Sequence, residues 1–156
     1  MFNIFKKKTQ RNNLFYNTDI HSHIIPGIDD GSDSPETSLE IIKGLNELGI
    51  NRMLATPHVT HTTYENTPEI ISTAYDILMK SVQLANIDID IQYSAEYRLD
   101  DYSLQQFNEG KTILLPNNHL LVESSFITEQ LNLDSILFNL KILGHELIYA
   151  HPEMFC

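Results

Sequence analysis

Cysteine, long apolar runs and, outside one short segment, basic residues are scarce in this sequence of 156 residues. The single cysteine is Cys156, so we expect no internal disulfide and a reducing, cytoplasmic location. No phosphate-binding loop follows it, which excludes a phosphatase with a cysteine nucleophile. Apolar runs are short and interrupted, so we predict no membrane-spanning helix. The first residues, MFNIFKKKTQR, lack the long apolar core and cleavage site of a secretory signal.

Basic residues are concentrated at the N-terminus. Lys6, Lys7, Lys8 and Arg11 belong to a total of 10 lysines and arginines, against 21 acidic residues. Residues 12–156 therefore hold 6 basic and 21 acidic residues, a formal charge of −15. A body of this charge disfavours nucleic acid and favours cations. We interpret residues 1–16 as a basic tail, typical of a solvated chain end and also suited to peripheral contact with an anionic membrane.

Short apolar runs of the kind found in strands alternate with longer stretches of helical period. We predict strands over residues 16–23, 51–59, 88–96, 119–124 and 146–151. Helices are predicted over residues 34–49, 67–85 and 128–143, with a shorter helical turn from Ser103 to Asn108. Ser34 and Pro35 are typical of a helix start, and Gly49 of a helix end. The alternation predicts one α/β domain with a parallel sheet or barrel.

Histidine or glutamate stands at the end of every predicted strand. In strand order these residues are His21 and His23, His58, Glu96, Glu123 and His151. Because successive parallel strands point the same way, their carboxyl ends meet at one edge. The spacing of two between His21 and His23 also places both imidazoles on one side of their strand. The sequence therefore predicts that these side chains share a site.

Each of these residues has a simpler interpretation when it is taken alone. A His-x-His pair is as typical of a hydrogen-bonded structural pair as of a metal site. Asp30, in the segment IDDGSD, is typical of a turn or a helix lead-in. Glu96 and Glu123 are each compatible with a buried salt bridge. Their joint occurrence at the strand ends favours a metal site, and imidazole and carboxylate without thiolate suit zinc, manganese or iron.

The number of candidate ligands predicts more than one ion. The candidates are His21, His23, Asp30, His58, Glu96, Glu123 and His151. One ion usually takes three or four protein ligands, so we expect two or three ions. Ions about 3.5–4 Å apart activate water and stabilise the attacking and leaving oxygens of a displacement. The predicted reaction class is therefore hydrolysis, with phosphate esters as the natural substrates.

The segments DIHSHIIPGIDDG, ATPHV, SAEY, LLVESSF and YAHPE resemble, in order and spacing, the motifs of the polymerase and histidinol phosphatase (PHP) superfamily. The resemblance spans residues 17–153 and is greatest to the bacterial tyrosine-phosphatase branch, which serves capsular and exopolysaccharide synthesis. It implies a distorted TIM-like barrel of seven strand–helix units with up to three divalent metal ions, of which manganese is expected and iron or zinc are alternatives. The implied substrate is phosphotyrosine on the tyrosine kinase of polysaccharide synthesis.

The resemblance also implies a role for each ligand. His21 and His23 would hold the first ion, and Glu96 would bridge it to the second. Glu123 and His151 would complete the protein ligands of the second ion.

The third ion would be held by Asp30 with His58. Glu96, His151 and Asp30 are the implied catalytic residues.

Two features depart from the family pattern. The late Asp-x-His motif of the family has no counterpart before Cys156, so we expect about five of the seven strand–helix units in residues 17–156 and a phosphatase domain incomplete at its C-terminus. An open barrel edge would then favour self-association, and turnover would be weakened. Met154 stands where the family has an arginine that contacts phosphate, and a thioether cannot replace a guanidinium there.

Two alternatives to a protein-tyrosine phosphatase stay open. A small-molecule phosphoesterase of the PHP superfamily would use the same metal site on a different substrate. A non-catalytic fragment would act as a binding or assembly module. The DDG segment favours the tyrosine phosphatase.

Overall fold

The computed structural model describes residues 14–125 and 132–152. The strands in these residues are β1 (Thr18–Ser22), β2 (Arg52–Ala55), β3 (His58–Val59), β4 (Asp90–Tyr93), β5 (Glu96–Arg98), β6 (His119–Glu123) and β7 (Glu146–Tyr149). The helices are α1 (Pro35–Glu47), α2 (Pro68–Leu84), α3 (Asp101–Asn108) and α4 (Leu133–Ile142), and a 3₁₀ turn covers Pro116–Asn118. The predicted α/β alternation is confirmed. Most of the predicted basic tail, residues 128–131 of the predicted third helix, Met154 and Cys156 lie outside the described residues.

Every strand pairing in the described residues is parallel. One sheet has the strand order β1-β2-β4 and the other the order β3-β5-β6-β7. Backbone hydrogen bonds continue the ladder between them: the Ser94 amide donates to the Ala55 carbonyl (2.8 Å), and the Glu96 amide to the Pro57 carbonyl (2.9 Å). Within each sheet the strands therefore follow one another in chain order, and these hydrogen bonds join the two sheets into one parallel layer. In the part of the chain that the structure describes, this layer does not close into a barrel.

Two of the predicted strands are each divided in the structure. The predicted strand 51–59 is divided into β2 and β3 at Thr56–Pro57, and the predicted strand 88–96 into β4 and β5 at Ser94–Ala95. Proline has no N–H to donate to a ladder, which explains why regular pairing stops in the first of these segments. The two divisions lie at the same level, because β2 pairs with β4 and β3 with β5. Both divisions therefore lie immediately before candidate site residues, His58 and Glu96.

The helices begin where the sequence supplies capping side chains. Ser34 caps α1 by accepting a hydrogen bond from the Thr37 amide (3.2 Å). Thr67 and Asp100 cap α2 and α3 in the same way. Gly49, which follows α1, has a φ of +104°, a conformation that glycine adopts without steric cost. The predicted start and end of this helix are confirmed.

The main hydrophobic core joins helix and strand residues. Among its buried side chains are Ile42 of α1, Met53 of β2, Leu78 of α2 and Ile91 of β4. Tyr97 of β5 is also buried there, and its hydroxyl accepts a hydrogen bond from the Ile113 amide (2.8 Å). Among the described helices, none combines the length and apolar character needed to cross a bilayer.

Candidate metal centre

A fully buried carboxylate, that of Glu96, lies at the centre of a histidine cluster. Its Oε1 atom is 3.4 Å from His21 Nε2 and 3.2 Å from His151 Nε2. Its Oε2 atom is 3.4 Å from His23 Nε2 and 3.0 Å from His58 Nδ1. Imidazoles from β1, from the residue that follows β1, from β3 and from the segment after β7 therefore meet at one acid.

The other two predicted carboxylates join this cluster through His58. Glu123, the last residue of β6, is fully buried, and its Oε1 atom is 3.4 Å from His58 Nδ1. Asp30 is 63% exposed, and its Oδ1 atom is 3.6 Å from His58 Nε2. The structure thus brings all the predicted site residues into one connected group at the carboxyl ends of the strands. Their individual roles as ligands stay predictions.

A residue that the sequence analysis passed over, Asp29, orients one of these imidazoles. Its buried carboxylate contacts His23 Nδ1 at 2.7 Å and accepts hydrogen bonds from the amides of Gly31 (3.0 Å) and His58 (3.1 Å). This contact directs His23 Nε2 toward Glu96. The available signal is the pair of adjacent aspartates, Asp29 and Asp30, of which the sequence predicts only Asp30 as a candidate ligand.

The loop that carries Asp29 packs closely against the strand end. A Cβ atom on Gly31 would overlap the Cβ and carbonyl oxygen of His23, so this position requires glycine. The Asn66 side chain donates to the carbonyls of Ile28 (3.0 Å) and His58 (2.8 Å) and ties the loop to β3. These contacts explain why DDG lies beside the histidines.

The uncharged side chain of Thr56 positions His21. The Oγ1 atom of buried Thr56 lies 2.6 Å from His21 Nδ1 and accepts a hydrogen bond from the Ser22 amide (3.2 Å). His21 Nε2 is thereby directed toward Glu96. Neither Thr56 nor Asn66 was predicted, since an isolated threonine or asparagine carries no sequence signal for such a role.

The electrostatics of the cluster favour charged imidazoles next to charged carboxylates. Burial lowers the pKa of His23, but the contacts with Asp29 and Glu96 outweigh it and raise the pKa to about 9. Burial also lowers the pKa of His58, but Glu123 and Glu96 raise it to about 10. Burial raises the pKa of Glu96, whereas the neighbouring imidazoles hold it well below its usual range. A bound cation would therefore have to displace protons from these imidazoles.

Buried polar atoms without hydrogen bonds at the centre of the cluster fit a bound cation. Among the described residues, both carboxylate oxygens of Glu96, Glu123 Oε2 and His58 Nδ1 are buried without a hydrogen-bond partner. Buried polar groups are rarely left in that state. Three sets of side chains each place their ligand atoms within 4.8 Å of one another: His21, His23 and Glu96; His23, Asp30 and His58; His58, Glu96 and Glu123. Nitrogen and oxygen donors of this kind fit divalent cations such as zinc, manganese or iron.

Tyr64 and Arg98 flank the cluster. The Tyr64 ring stacks on the His58 ring, with centroids 5.8 Å apart and an interplanar angle of 9°. Burial raises the pKa of Tyr64, as do the charges of Asp30 and Asp29, while Arg98 acts in the opposite direction. The Arg98 side chain is 32% exposed. An aromatic ring and a guanidinium group therefore border the same site.

Residues 17–156 match the model of the family described as capsular polysaccharide synthesis, CpsB/CapC. The chain is 30% identical over 138 residues to the tyrosine-protein phosphatase YwqE of Bacillus subtilis, a match that covers 86% of this chain and 54% of YwqE. It is 29% identical over 139 residues to the tyrosine-protein phosphatase CpsB of Streptococcus pneumoniae, covering 88% of this chain and 57% of CpsB.

A solved structure has the same fold over the matched region. It comes from crystal structures of YwqE from Bacillus subtilis and CpsB from Streptococcus pneumoniae, which are described as unique metal-dependent tyrosine phosphatases. The TM-score is 0.79 at 28% sequence identity, and the match covers 88% of this chain and 56% of the other. The chain spans about half the length of the curated relatives it matches.

Proposed function

The chain belongs to the capsular polysaccharide synthesis CpsB/CapC family, and we propose that it acts as a metal-dependent protein-tyrosine phosphatase. The resemblance to this branch noted from the sequence is confirmed by the family match, and the PHP superfamily is consistent with it. The reaction proposed is hydrolysis of the phosphate monoester of tyrosine. The proposal concerns the activity of the whole protein, because the match covers 54% of YwqE and 57% of CpsB.

The observation that carries this proposal is the environment of Glu96. A fully buried carboxylate with imidazole nitrogens at 3.0–3.4 Å and no hydrogen bond from the described residues is an arrangement that a cation stabilises. Relatives with the matching fold are metal-dependent tyrosine phosphatases by name. The chemistry of the donor set and the family therefore support the same reaction class.

We propose that His21, His23 and Glu96 hold one ion, with Glu123, His151, Asp30 and His58 as the further ligands in a site of up to three ions. Manganese is the proposed metal, with iron and zinc as alternatives. Divalent ions bound there would activate water and neutralise charge on the phosphoryl oxygens.

The protein's own side chains set the geometry of this site. Asp29 and Thr56 orient His23 and His21, so their Nε2 atoms point toward Glu96. Glu96, His151 and Asp30 are the proposed catalytic residues. Glu96 contacts imidazoles on both of its oxygens, while His151 and Asp30 are more exposed, with 36% and 63% of their side chains accessible to solvent.

We propose that residues 17–156 form one domain whose parallel strands belong to a distorted TIM-like PHP barrel. The chain-order succession of the strands supports this arrangement. In the described residues β7 pairs with β6 alone, and α4 with its C-terminal cap exposes Phe138, Ile142 and Leu143. This edge supports the proposed self-association, which sedimentation velocity would test: a concentration-independent monomer would contradict it.

The proposed substrate is phosphotyrosine on a tyrosine kinase of polysaccharide synthesis, in the cytoplasm. The proposed role of residues 1–16 is contact with an anionic membrane beside that kinase. Binding of the full chain to vesicles with and without anionic lipid would test the contact, and equal binding to both would contradict it.

The test of the enzymatic proposal is hydrolysis by the full chain loaded with Mn²⁺, measured on a phosphotyrosine peptide, p-nitrophenyl phosphate and an alkyl phosphate. We expect the peptide to be cleaved, and cleavage to disappear in His58→Ala. His119→Ala is the matched control, since His119 begins β6 and contacts the Pro116 carbonyl away from the cluster. A preference for the alkyl phosphate would instead support a small-molecule phosphoesterase. Metal binding without hydrolysis of any substrate would support a binding module.

A further inference from the structure

Arg98 lies on the strand that carries the central carboxylate of the cluster. It is the last residue of β5, two residues after Glu96. Because side chains alternate along a strand, Arg98 and Glu96 face one side and Tyr97 the other. Tyr97 is 2% exposed in the core, so Arg98 faces the metal cluster.

The guanidinium group of Arg98 uses one of its edges in this structure. Its Nε and Nη2 atoms each lie 3.2 Å from the same oxygen of Glu123, Oε1. A guanidinium group carries five N–H donors, so the pair with Glu123 leaves several of them unused. In the described residues the Nη1 group makes no hydrogen bond or ion pair.

Arg98 is also distinguished by where the other positive charges lie. Among the lysines and arginines that the structure describes, it alone forms an ion pair with a cluster residue. Arg52 pairs with Asp90, and Lys111 with Glu109, away from the site. The site meanwhile contains four carboxylates, those of Asp29, Asp30, Glu96 and Glu123. Bound divalent ions would offset part of the repulsion between these carboxylates and a doubly charged phosphate ester, and the Arg98 guanidinium group adds a positive charge on the same side.

We propose that the unused edge of the Arg98 guanidinium group binds the phosphoryl oxygens of the substrate while its other edge stays on Glu123. This inference rests on the proposed function and names a further substrate-binding residue for it. A planar fork of N–H donors matches two phosphate oxygens, which an ammonium group cannot do. A purely structural ion pair would be expected to satisfy the carboxylate, yet Glu123 Oε2 lacks a hydrogen-bond partner among the described residues.

Binding of inorganic phosphate to the full chain loaded with Mn²⁺ tests this inference without requiring turnover. Calorimetry gives the phosphate affinity, and elemental analysis gives the bound manganese, for the wild type, Arg98→Met, Arg98→Lys and Arg52→Met. Arg52→Met is the control for loss of one positive charge at the opposite end of the sheet. We expect Arg98→Met to weaken phosphate binding roughly 10- to 100-fold with manganese content retained, since a hydrogen bond to a charged group is lost. Arg98→Lys should bind phosphate severalfold more weakly than the wild type. The control Arg52→Met should bind phosphate as tightly as the wild type.

Any one of the following results would overturn the inference. One is unchanged phosphate affinity in Arg98→Met. Another is a parallel loss of manganese and phosphate, because Arg98 would then act only by holding Glu123. The third is a wild type that binds no phosphate. If Arg98→Met does not fold, Arg98→Lys decides, and wild-type affinity in that variant contradicts the inference. Arg98-dependent phosphate binding without hydrolysis of phosphotyrosine would support this inference and contradict the proposed function.

Discussion

Replacing Glu96 by glutamine removes the negative charge on which the cluster is centred and keeps the shape of the side chain. The imidazoles of His21, His23, His58 and His151 all lie within 3.4 Å of this carboxylate. The effect of Glu96→Gln should therefore be mainly electrostatic. In the metal-free protein, it should depend on whether the imidazoles carry protons.

The pKa shifts give the sign of this dependence. Folding raises the pKa of His23 to about 9 and that of His58 to about 10, from 6.5. The stability they contribute is fully present below about pH 6.5 and is lost as the pH rises through these values. The pKa of Glu96 is lowered, so its contribution is present above its ordinary pKa of 4.5 and is lost as the pH falls. The carboxylate therefore stabilises the metal-free fold most near pH 6.

The magnitude follows from the burial of the partners. Removing one member of a buried ion pair costs about 3–5 kcal/mol. The histidine side chains here are 13–36% exposed, so solvent screening reduces that cost. We expect Glu96→Gln to lower the free energy of unfolding by about 2–3 kcal/mol at pH 6, and by less than about 1 kcal/mol at pH 10.5.

The measurement is urea denaturation followed by circular dichroism in the presence of a chelator, at both pH values. Glu40→Gln is the matched control, because Glu40 is an exposed residue of α1 with the same charge. When manganese replaces the chelator, the free energy of unfolding of the wild type should rise, and this gain should largely disappear in Glu96→Gln. Equal destabilisation at pH 6 and pH 10.5, or an equal effect of Glu40→Gln, would refute the reasoning.

Further predictions concern the residues around Glu96. Asp29→Asn should weaken manganese binding roughly 10- to 100-fold because His23 loses its orienting partner. Manganese titration of Asp29→Asn and of the control Asp76→Asn, an exposed position in α2, checks this prediction. Equal manganese affinities of the two variants would contradict it. Manganese uptake at pH 7.5 should release protons from His23 and His58, whose pKa values are about 9 and about 10, so affinity should rise with pH. Calorimetry in buffers of different ionisation enthalpy measures the number of protons released. Manganese uptake without proton release would contradict this prediction. Tyr64→Leu should reduce the preference for aryl over alkyl phosphates about 3- to 10-fold, by removing an aromatic surface beside His58. An unchanged ratio of kcat/KM for the two substrates would count against a role for Tyr64.

The clustering of the candidate ligands was predictable because parallel strands share one edge. Glu96 and Glu123 each lie in a strand-like run, and both are fully buried in the structure. The choice between two adjacent aspartates was not predictable, since only the path of the loop decides that Asp29 faces His23 while Asp30 is 63% exposed. Thr56 contributes one neutral hydroxyl group, which no charge or spacing pattern reveals.

The strand pattern predicted the elements but not their division. Apolar runs over residues 51–59 and 88–96 predict two continuous strands, since periodicity records which way side chains face and not which strand is the hydrogen-bonding partner. The change of sheet at Thr56–Pro57 and Ser94–Ala95 depends on pairing between distant segments. For the same reason the complete barrel stays a prediction.

Only Ser94 and Ala95 separate β4 from β5, so the number of residues between these two strands cannot change without altering the site. Deleting one residue there would reverse which way every following side chain of β5 faces. The Tyr97 phenol would then face the cluster, while the charged side chains of Glu96 and Arg98 would face the hydrophobic core. A length change in the turn between α2 and β4 would leave that alternation intact. Insertions and deletions should therefore be tolerated in that turn, whereas at Ser94–Ala95 they should destroy the site.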